Sequence, residues 1–183
     1  MAGKLMAMTT GERNEWTLSH LDIQLGDRVL EVGYGPGVGI EKAVLLIREG
    51  EVVGIDPSET MLRQAEKRNW QAVQEGKVHL LSGKVEEWPG LKVPFDKIFS
   101  VNSAPFWSDR PRVLKKMQRW LRPEGMVATT YQQIGKNTQD PSAFADRLSG
   151  ELRQAGFVQI SREYRQFKGG IAVCVIARKP ING

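Results

Sequence analysis

The sequence predicts an α/β fold: one domain built on a doubly wound, mostly parallel sheet with helices on both faces. Three observations predict it. Apolar, β-rich runs alternate with helical patterns, the arrangement of parallel βαβ units. A glycine-rich turn, "VLEVGYGPGVG" over residues 29–39, follows the first of those runs. The chain closes on two β-rich runs joined by "KGG", a hairpin that adds an antiparallel pair to the sheet.

The elements follow in order. A first helix is expected over residues 11–23, with Trp16 and Leu21 among its apolar positions. "DRVLEVG" reads as the first strand, residues 38–49 as a helix ended by Gly50, and "EVVGID" as the second strand. "PSETMLRQAEKRNWQAVQEG" opens with Pro57 and Ser58 before an apolar face, an ordinary helix start. "KVHLLSG" and "FDKIFSVN" are the third and fourth strands. In "RPRVLKKMQRWLR", Val113, Leu114, Met117, Trp120 and Leu121 recur at helical spacing and make one apolar face. "GMVATTY" is the fifth strand, and after the loop "QQIGKNTQD" comes a helix over 141–155, closed by Gly156. "FVQISREYRQF" and "IAVCVIARK" form the hairpin.

Composition narrows the classes. At 183 residues, 40 % hydrophobic and 26 % charged, the chain suits a single globular domain. No run approaches the roughly 20 apolar residues that span a bilayer, and the start has no signal-peptide pattern. The single cysteine, Cys174, lies in an apolar run and reads as a buried, inert thiol. These features point to a cytoplasmic protein. The net charge of +5 invites a nucleic-acid partner, but the densest basic group, Arg112, Lys115, Lys116 and Arg119, falls on the polar side of an amphipathic helix. A solvated face is the simpler reading.

The glycine loop lies where open α/β sheets bind ligands, at the carboxyl end of a strand. Its glycines, Gly33, Gly35, Gly37 and Gly39, are spaced by two. A dinucleotide site needs G-x-G-x-x-G, and Val38 stands where the third glycine belongs. A P-loop is excluded because no Gly-Lys-Ser/Thr follows. At the end of the second strand, Asp56 has the chemistry to accept from both hydroxyls of a ribose. The alternative role for Asp56 is a helix-start residue before Pro57.

Glu31-x-Gly33-x-Gly35-x-Gly37, then "GIDPSETML", "SGKVEEWP", "FDKIFSVNSAPFW" and "LRPEGMV", resemble the successive motifs of class I S-adenosylmethionine-dependent methyltransferases. The resemblance covers roughly residues 15–180 and is greatest to the small methyltransferase type 11 and ubiquinone/menaquinone-methyltransferase-like branch. It implies a Rossmann-like sheet of seven strands with an antiparallel C-terminal strand, and S-adenosyl-L-methionine as the cofactor. Residues 1–183 form the one domain, and the helix within 1–24 forms part of the pocket cover. Gly33, Tyr34, Gly35 and Gly37 would cradle the methionine part, and Glu31 would help place its amino group. Asp56 and Pro57 would meet the ribose, Met61 the adenine, and Asn102 the methionine or the methyl group. The family's usual acidic residue after the third strand is replaced by Lys84, which cannot accept a hydrogen bond. The adenine contact then falls to the Val85 main chain or Glu86.

No residue announces itself as a catalytic base. His79 sits in a strand pattern and His20 near the end of the first helix, and both read as structural or surface residues. No metal site is expected. Trp16, Phe106, Trp107, Asp109 and Tyr131 lie on segments above the strand ends and are the candidate acceptor contacts, core packing being the alternative for the aromatics. A small-molecule methyl acceptor is the favoured partner. An RNA or protein methyltransferase that uses the basic surface is the second reading. A non-catalytic adenosine-cofactor-binding protein or an NAD-dependent oxidoreductase is the third.

Overall fold

The computed structural model describes residues 2–134 and 139–182, with side chains from Thr10 onward. Positions 135–138, the middle of the loop expected after the fifth strand, lie outside the described residues. Seven strands form one sheet: β1 (Arg28–Val32), β2 (Glu51–Asp56), β3 (Val78–Ser82), β4 (Phe95–Val101), β5 (Leu121–Gln132), β6 (Val158–Phe167) and β7 (Gly170–Arg178). Their spatial order is β3-β2-β1-β4-β5-β7-β6. β1 to β5 pair in parallel, and β7 runs antiparallel to both its neighbours.

The hairpin does not simply extend the sheet in chain order, because β7 inserts between β5 and β6. Burial explains the order. "AVCVIA" of β7 is buried without interruption, the pattern of a strand covered on both faces. β6 is mostly exposed and carries Arg162, Glu163 and Arg165, charges that keep an edge strand from pairing further.

Helices cover both faces: α1 (Ala2–Ser19), α2 (Val38–Val44), α3 (Glu59–Arg68), α4 (Trp70–Gln74), α5 (Arg110–Trp120) and α6 (Pro141–Gln154). Adjacent residues of β1 serve opposite layers. Leu30 packs with Val113, Leu114 and Met117 of α5 and with Phe144 and Leu148 of α6. Val29 packs with Trp16 and Leu18 of α1 and Ile40 of α2. All five residues of the expected apolar face are buried, four on α5 and Leu121 at the start of β5, and Asp109 caps that helix by accepting from the Arg112 N–H.

Three helices depart from the sequence reading. α1 begins at Ala2 and ends at Ser19, rather than running from 11 to 23. α2 stops at Val44, because the amides of Arg48, Glu49 and Gly50 all donate to the Leu25 carbonyl instead of continuing the helix. The long helix expected over 57–76 divides at Asn69, whose Nδ2 donates to the carbonyls of Gly37 and Ala65, both at 3.0 Å. The basic face of α5 is not wholly solvated either. Lys116 Nζ donates to the Glu86 and Trp88 carbonyls at 2.7 and 2.6 Å. Among the described residues, no helix is long and apolar enough to cross a membrane, and no group of three or more His, Cys, Asp or Glu could hold a metal ion.

Candidate cofactor and acceptor site

Strand order reverses between β1 and β4, and ligands of such sheets bind beyond the carboxyl ends of the strands at that point. A cavity of about 550 Å³ lies there. Its wall includes Gly33, Gly35, Asp56, Pro57, Lys84, Val85, Asn102, Phe106 and Trp107, so nine of the expected site residues come together from the segments that follow β1, β2, β3 and β4.

The glycines of the loop have different tasks. Gly33 has φ +79°, and a Cβ there would lie 2.3 Å from the Ser103 Cβ. Ser103 in turn donates to the Val32 carbonyl at 2.6 Å, so Gly33 lets the segment after β4 close on the end of β1. At Gly37 a Cβ would lie 2.9 Å from the Ala65 Cα, so this glycine admits α3. Only at Gly35, with φ +51°, would a side chain meet nothing within 4 Å, and Gly35 lines the cavity. The main chain is bare toward the cavity at that residue.

Asp56 is 8 % exposed. Its Oδ2 accepts from the Gly35 N–H and its Oδ1 from the Ser58 N–H, both at 2.9 Å. A carboxylate offers about four lone-pair sites, so each oxygen retains one for a ligand hydroxyl. The cap of α3 is Ser58, whose Oγ accepts from the Met61 N–H. Asp56 therefore fixes the glycine loop to β2 and faces the cavity, while Ser58 does the capping.

The segment after β3 is clamped twice. Lys116 holds its carbonyls from α5, and Glu86 Oε1 accepts from the Ser108 N–H at 2.6 Å and from the Ser108 hydroxyl at 3.0 Å. Burial alone would raise the Glu86 carboxyl, but these bonds hold it below the usual range. Lys84 is exposed and Val85 is 5 % exposed. The role of Lys116 has no local sequence signal, since a lysine on a polar helix face reads as solvated.

Asn102 adopts φ +56°, a left-handed conformation that asparagine tolerates better than most residues. Its Oδ1 accepts from the Gln132 N–H at 2.7 Å. It also lines a second cavity of about 320 Å³ with Pro105, Phe106, Tyr131, Gln132, Ile134 and Gln139. Asn102 and Phe106 thus belong to both cavities. Phe106 is 85 % exposed, whereas Tyr131 is buried, stacks on Phe144 and donates its hydroxyl to the Gln139 carbonyl.

Other expected contacts lie elsewhere. Trp16 lines neither cavity and packs edge-on against His20 and Phe167. Met61 packs against the core layer on the α1 side. Tyr34 is buried, and its hydroxyl donates to the Leu81 carbonyl. Asp109 is engaged in capping α5. His79 lies half-exposed beside Glu51 at 3.3 Å, and burial lowers the His20 imidazole. Cys174 is fully buried, and burial pushes its thiol up to about 12. Glu31 also lies outside both lining sets. It is 2 % exposed, and its Oε2 has no partner among the described residues. Burial first, then the charge of Asp56, raises its carboxyl well above the usual range, and the Ile40 N–H offsets part of this.

A bare glycine beside open space, a carboxylate with free lone pairs and a buried carboxyl with one unpartnered oxygen fit a polar, nucleoside-bearing ligand. Comparison with known proteins agrees. Residues 29–125 match the model of a methyltransferase domain. The chain is 32 % identical over 182 residues to the uncharacterized methyltransferase YdaC of Bacillus subtilis (strain 168), covering 98 % of each chain. It is 32 % identical to the demethylmenaquinone methyltransferase of Lysinibacillus sphaericus (strain C3-41), over 66 % of this chain and 50 % of that one. The fold superposes on a SAM-dependent methyltransferase from Aquifex aeolicus with a TM-score of 0.71 and 20 % identity, covering 91 % and 89 % of the two chains.

Proposed function

Because this chain belongs to the class I S-adenosylmethionine-dependent methyltransferases, with S-adenosylmethionine as its cofactor, we propose that it methylates a small molecule held in the second cavity. The observation that carries this reading is the shared wall. Asn102 and Phe106 face both the cofactor-side cavity and its apolar neighbour.

When bound, the cofactor supplies a methyl group already activated by a sulfonium, so the protein's task is chiefly positioning. Gly35 lets the ligand reach the main chain, and Asp56 uses its free lone pairs on the ribose. The clamped segment from Lys84 to Glu86 borders the adenine. Asn102, its carbonyl oxygen held by Gln132, presents its amide group between the cavities. Pro105, Phe106, Tyr131 and Ile134 give the second cavity an apolar wall that suits a flat or apolar acceptor. The described residues on that wall include no carboxylate, amine or imidazole. This supports an acceptor atom that arrives with its lone pair free. The single buried thiol accords with work in the cytoplasm.

Two measurements test the proposal. Titration calorimetry should find S-adenosylhomocysteine bound far more tightly than NAD, and comparable affinities would overturn the cofactor assignment. A screen of small aromatic and apolar nucleophiles with methyl-labelled cofactor should then find acceptors whose turnover falls in Phe106→Ala. Turnover of RNA or protein acceptors alone would overturn the small-molecule reading.

A further inference from the structure

The segment after β3 has its acceptors engaged and its donors free. The Lys84 carbonyl accepts from the Glu87 and Trp88 amides at 3.1 and 3.2 Å. Lys116 Nζ donates to the Glu86 carbonyl at 2.7 Å and stands 3.5 Å from that of Val85. The Glu86 carboxylate is committed as well. Its Oε1 accepts from the Ser108 N–H and hydroxyl, and the Asp109 N–H and the Glu86 N–H also bond to the carboxylate. Four donors thus meet the about four lone-pair sites that a carboxylate offers. What remains is of the opposite kind. Among the described residues, no acceptor meets the Val85 N–H and no carboxylate pairs with the Lys84 ammonium. Lys84 is exposed, Val85 is buried, and both line the cofactor-side cavity.

A base against this segment is therefore read by donors. The N1 lone pair of a purine suits the Val85 N–H. The 6-amino group of an adenine is itself a donor, and a lysine accepts nothing. On this segment the amino group finds no acceptor, and the exposure of Lys84 leaves it to water. A purine that carries no donor at that carbon loses nothing here. A purine that carries an acceptor there gains the ammonium.

We propose that this site does not read the 6-amino group of the cofactor's base, and that Lys84 sets the relaxed selectivity: the chain takes analogues of S-adenosylhomocysteine whose purine carries hydrogen or an ether oxygen at that carbon. The proposal rests on the cofactor reading above, in which the segment from Lys84 to Glu86 borders the base. The segment cannot turn an acceptor round to the base, because its acceptors already hold donors from α5, from the turn before it and from the segment itself. The same two clamps that fix the wall thereby fix its donor character.

The test alters the base rather than measuring turnover. Dissociation constants are measured by calorimetry for S-adenosylhomocysteine and for two analogues, one with purine and one with 6-methoxypurine in place of adenine. The wild-type chain should bind the purine analogue within about threefold of the parent, since water serves the amino group in either state. It should bind the methoxypurine analogue at least as tightly as the parent. Lys84→Asp puts an acceptor at the same place and should favour the parent over the purine analogue by about 3- to 30-fold, the range for one hydrogen bond to a charged group at an exposed position. Lys84→Met should bind the parent and the purine analogue alike and lose any advantage of the methoxy group. Lys84 is exposed, so both variants should melt as the wild type does. A wild-type chain that favours the parent over the purine analogue by a wider margin has an acceptor for the amino group, which would overturn the proposal and leave the cofactor reading standing. Lys84→Asp that changes the affinity for all three ligands equally would also overturn it. A wild-type chain that binds none of the three would instead overturn the cofactor reading itself.

Discussion

Replacing Gly35 with alanine separates the ligand-facing glycine from the structural ones. The new Cβ would meet no atom within 4 Å, so the folded protein accommodates it sterically. What remains is the left-handed conformation at φ +51°, which costs an ordinary residue about 1–2 kcal/mol. Alanine recovers about 0.4–1 kcal/mol by restricting the unfolded chain. A net loss of about 1 kcal/mol lowers the melting temperature of a domain this size by about 2–4 °C. Gly35 lines the cavity, so on the proposed reading the methyl group takes space that the cofactor would fill. Overpacking of that kind costs about 1–3 kcal/mol, or roughly 5- to 150-fold in affinity. Gly35→Val, larger and β-branched, should nearly abolish binding. Gly37→Ala should behave in the opposite way, because its Cβ would lie 2.9 Å from the Ala65 Cα and force α3 away. The assay pairs thermal melts with calorimetry against S-adenosylhomocysteine. If Gly35→Ala binds as well as the wild type while Gly37→Ala melts normally, the division of tasks within the loop is wrong.

Three further outcomes are expected. Asp56→Ala should weaken S-adenosylhomocysteine binding by about 2–4 kcal/mol, roughly 30- to 1000-fold, with Asp56→Asn between it and the wild type; unchanged affinity with a lowered melting temperature would restrict Asp56 to holding the Gly35 and Ser58 amides. Glu31 has a carboxyl raised in the folded chain by burial and by Asp56, so its share of stability is complete below the unfolded value and is lost as pH rises through the folded one. Glu31→Gln should therefore gain in melting temperature on the wild type, in ligand-free protein, from acid to neutral pH, and parallel curves would refute this. Lys116→Met should cost about 1–3 kcal/mol by leaving the Glu86 and Trp88 carbonyls without their donor; a change within 0.3 kcal/mol in denaturant melts would show that water replaces the lysine fully.

The sequence by itself determined the parallel strands, the glycine loop after β1, the carboxylate at the end of β2 and the buried face of α5. Each is written in a period or a turn residue within a few positions, where local sterics and burial act. The extent of α1 was not legible, because its buried residues include the polar Arg13, Asn14 and Thr17 beside Trp16 and Leu18, and polar residues at helical spacing carry no burial signal. The break at Asn69 was equally hidden: its side chain bonds the Gly37 carbonyl, 32 residues away. Lys116 closes on carbonyls about 30 residues distant, and Trp16 turned to Phe167 rather than to either cavity. The glycines could be counted in the sequence but not sorted, since Gly33, Gly35 and Gly37 differ only in what stands opposite them. The second cavity exists only because the segments around Asn102, Phe106 and Tyr131 are brought side by side by the β4–β5 pairing. Local pattern fixed the elements and the cofactor loop; which atoms meet across the sheet's carboxyl edge depended on packing between segments that no local period couples.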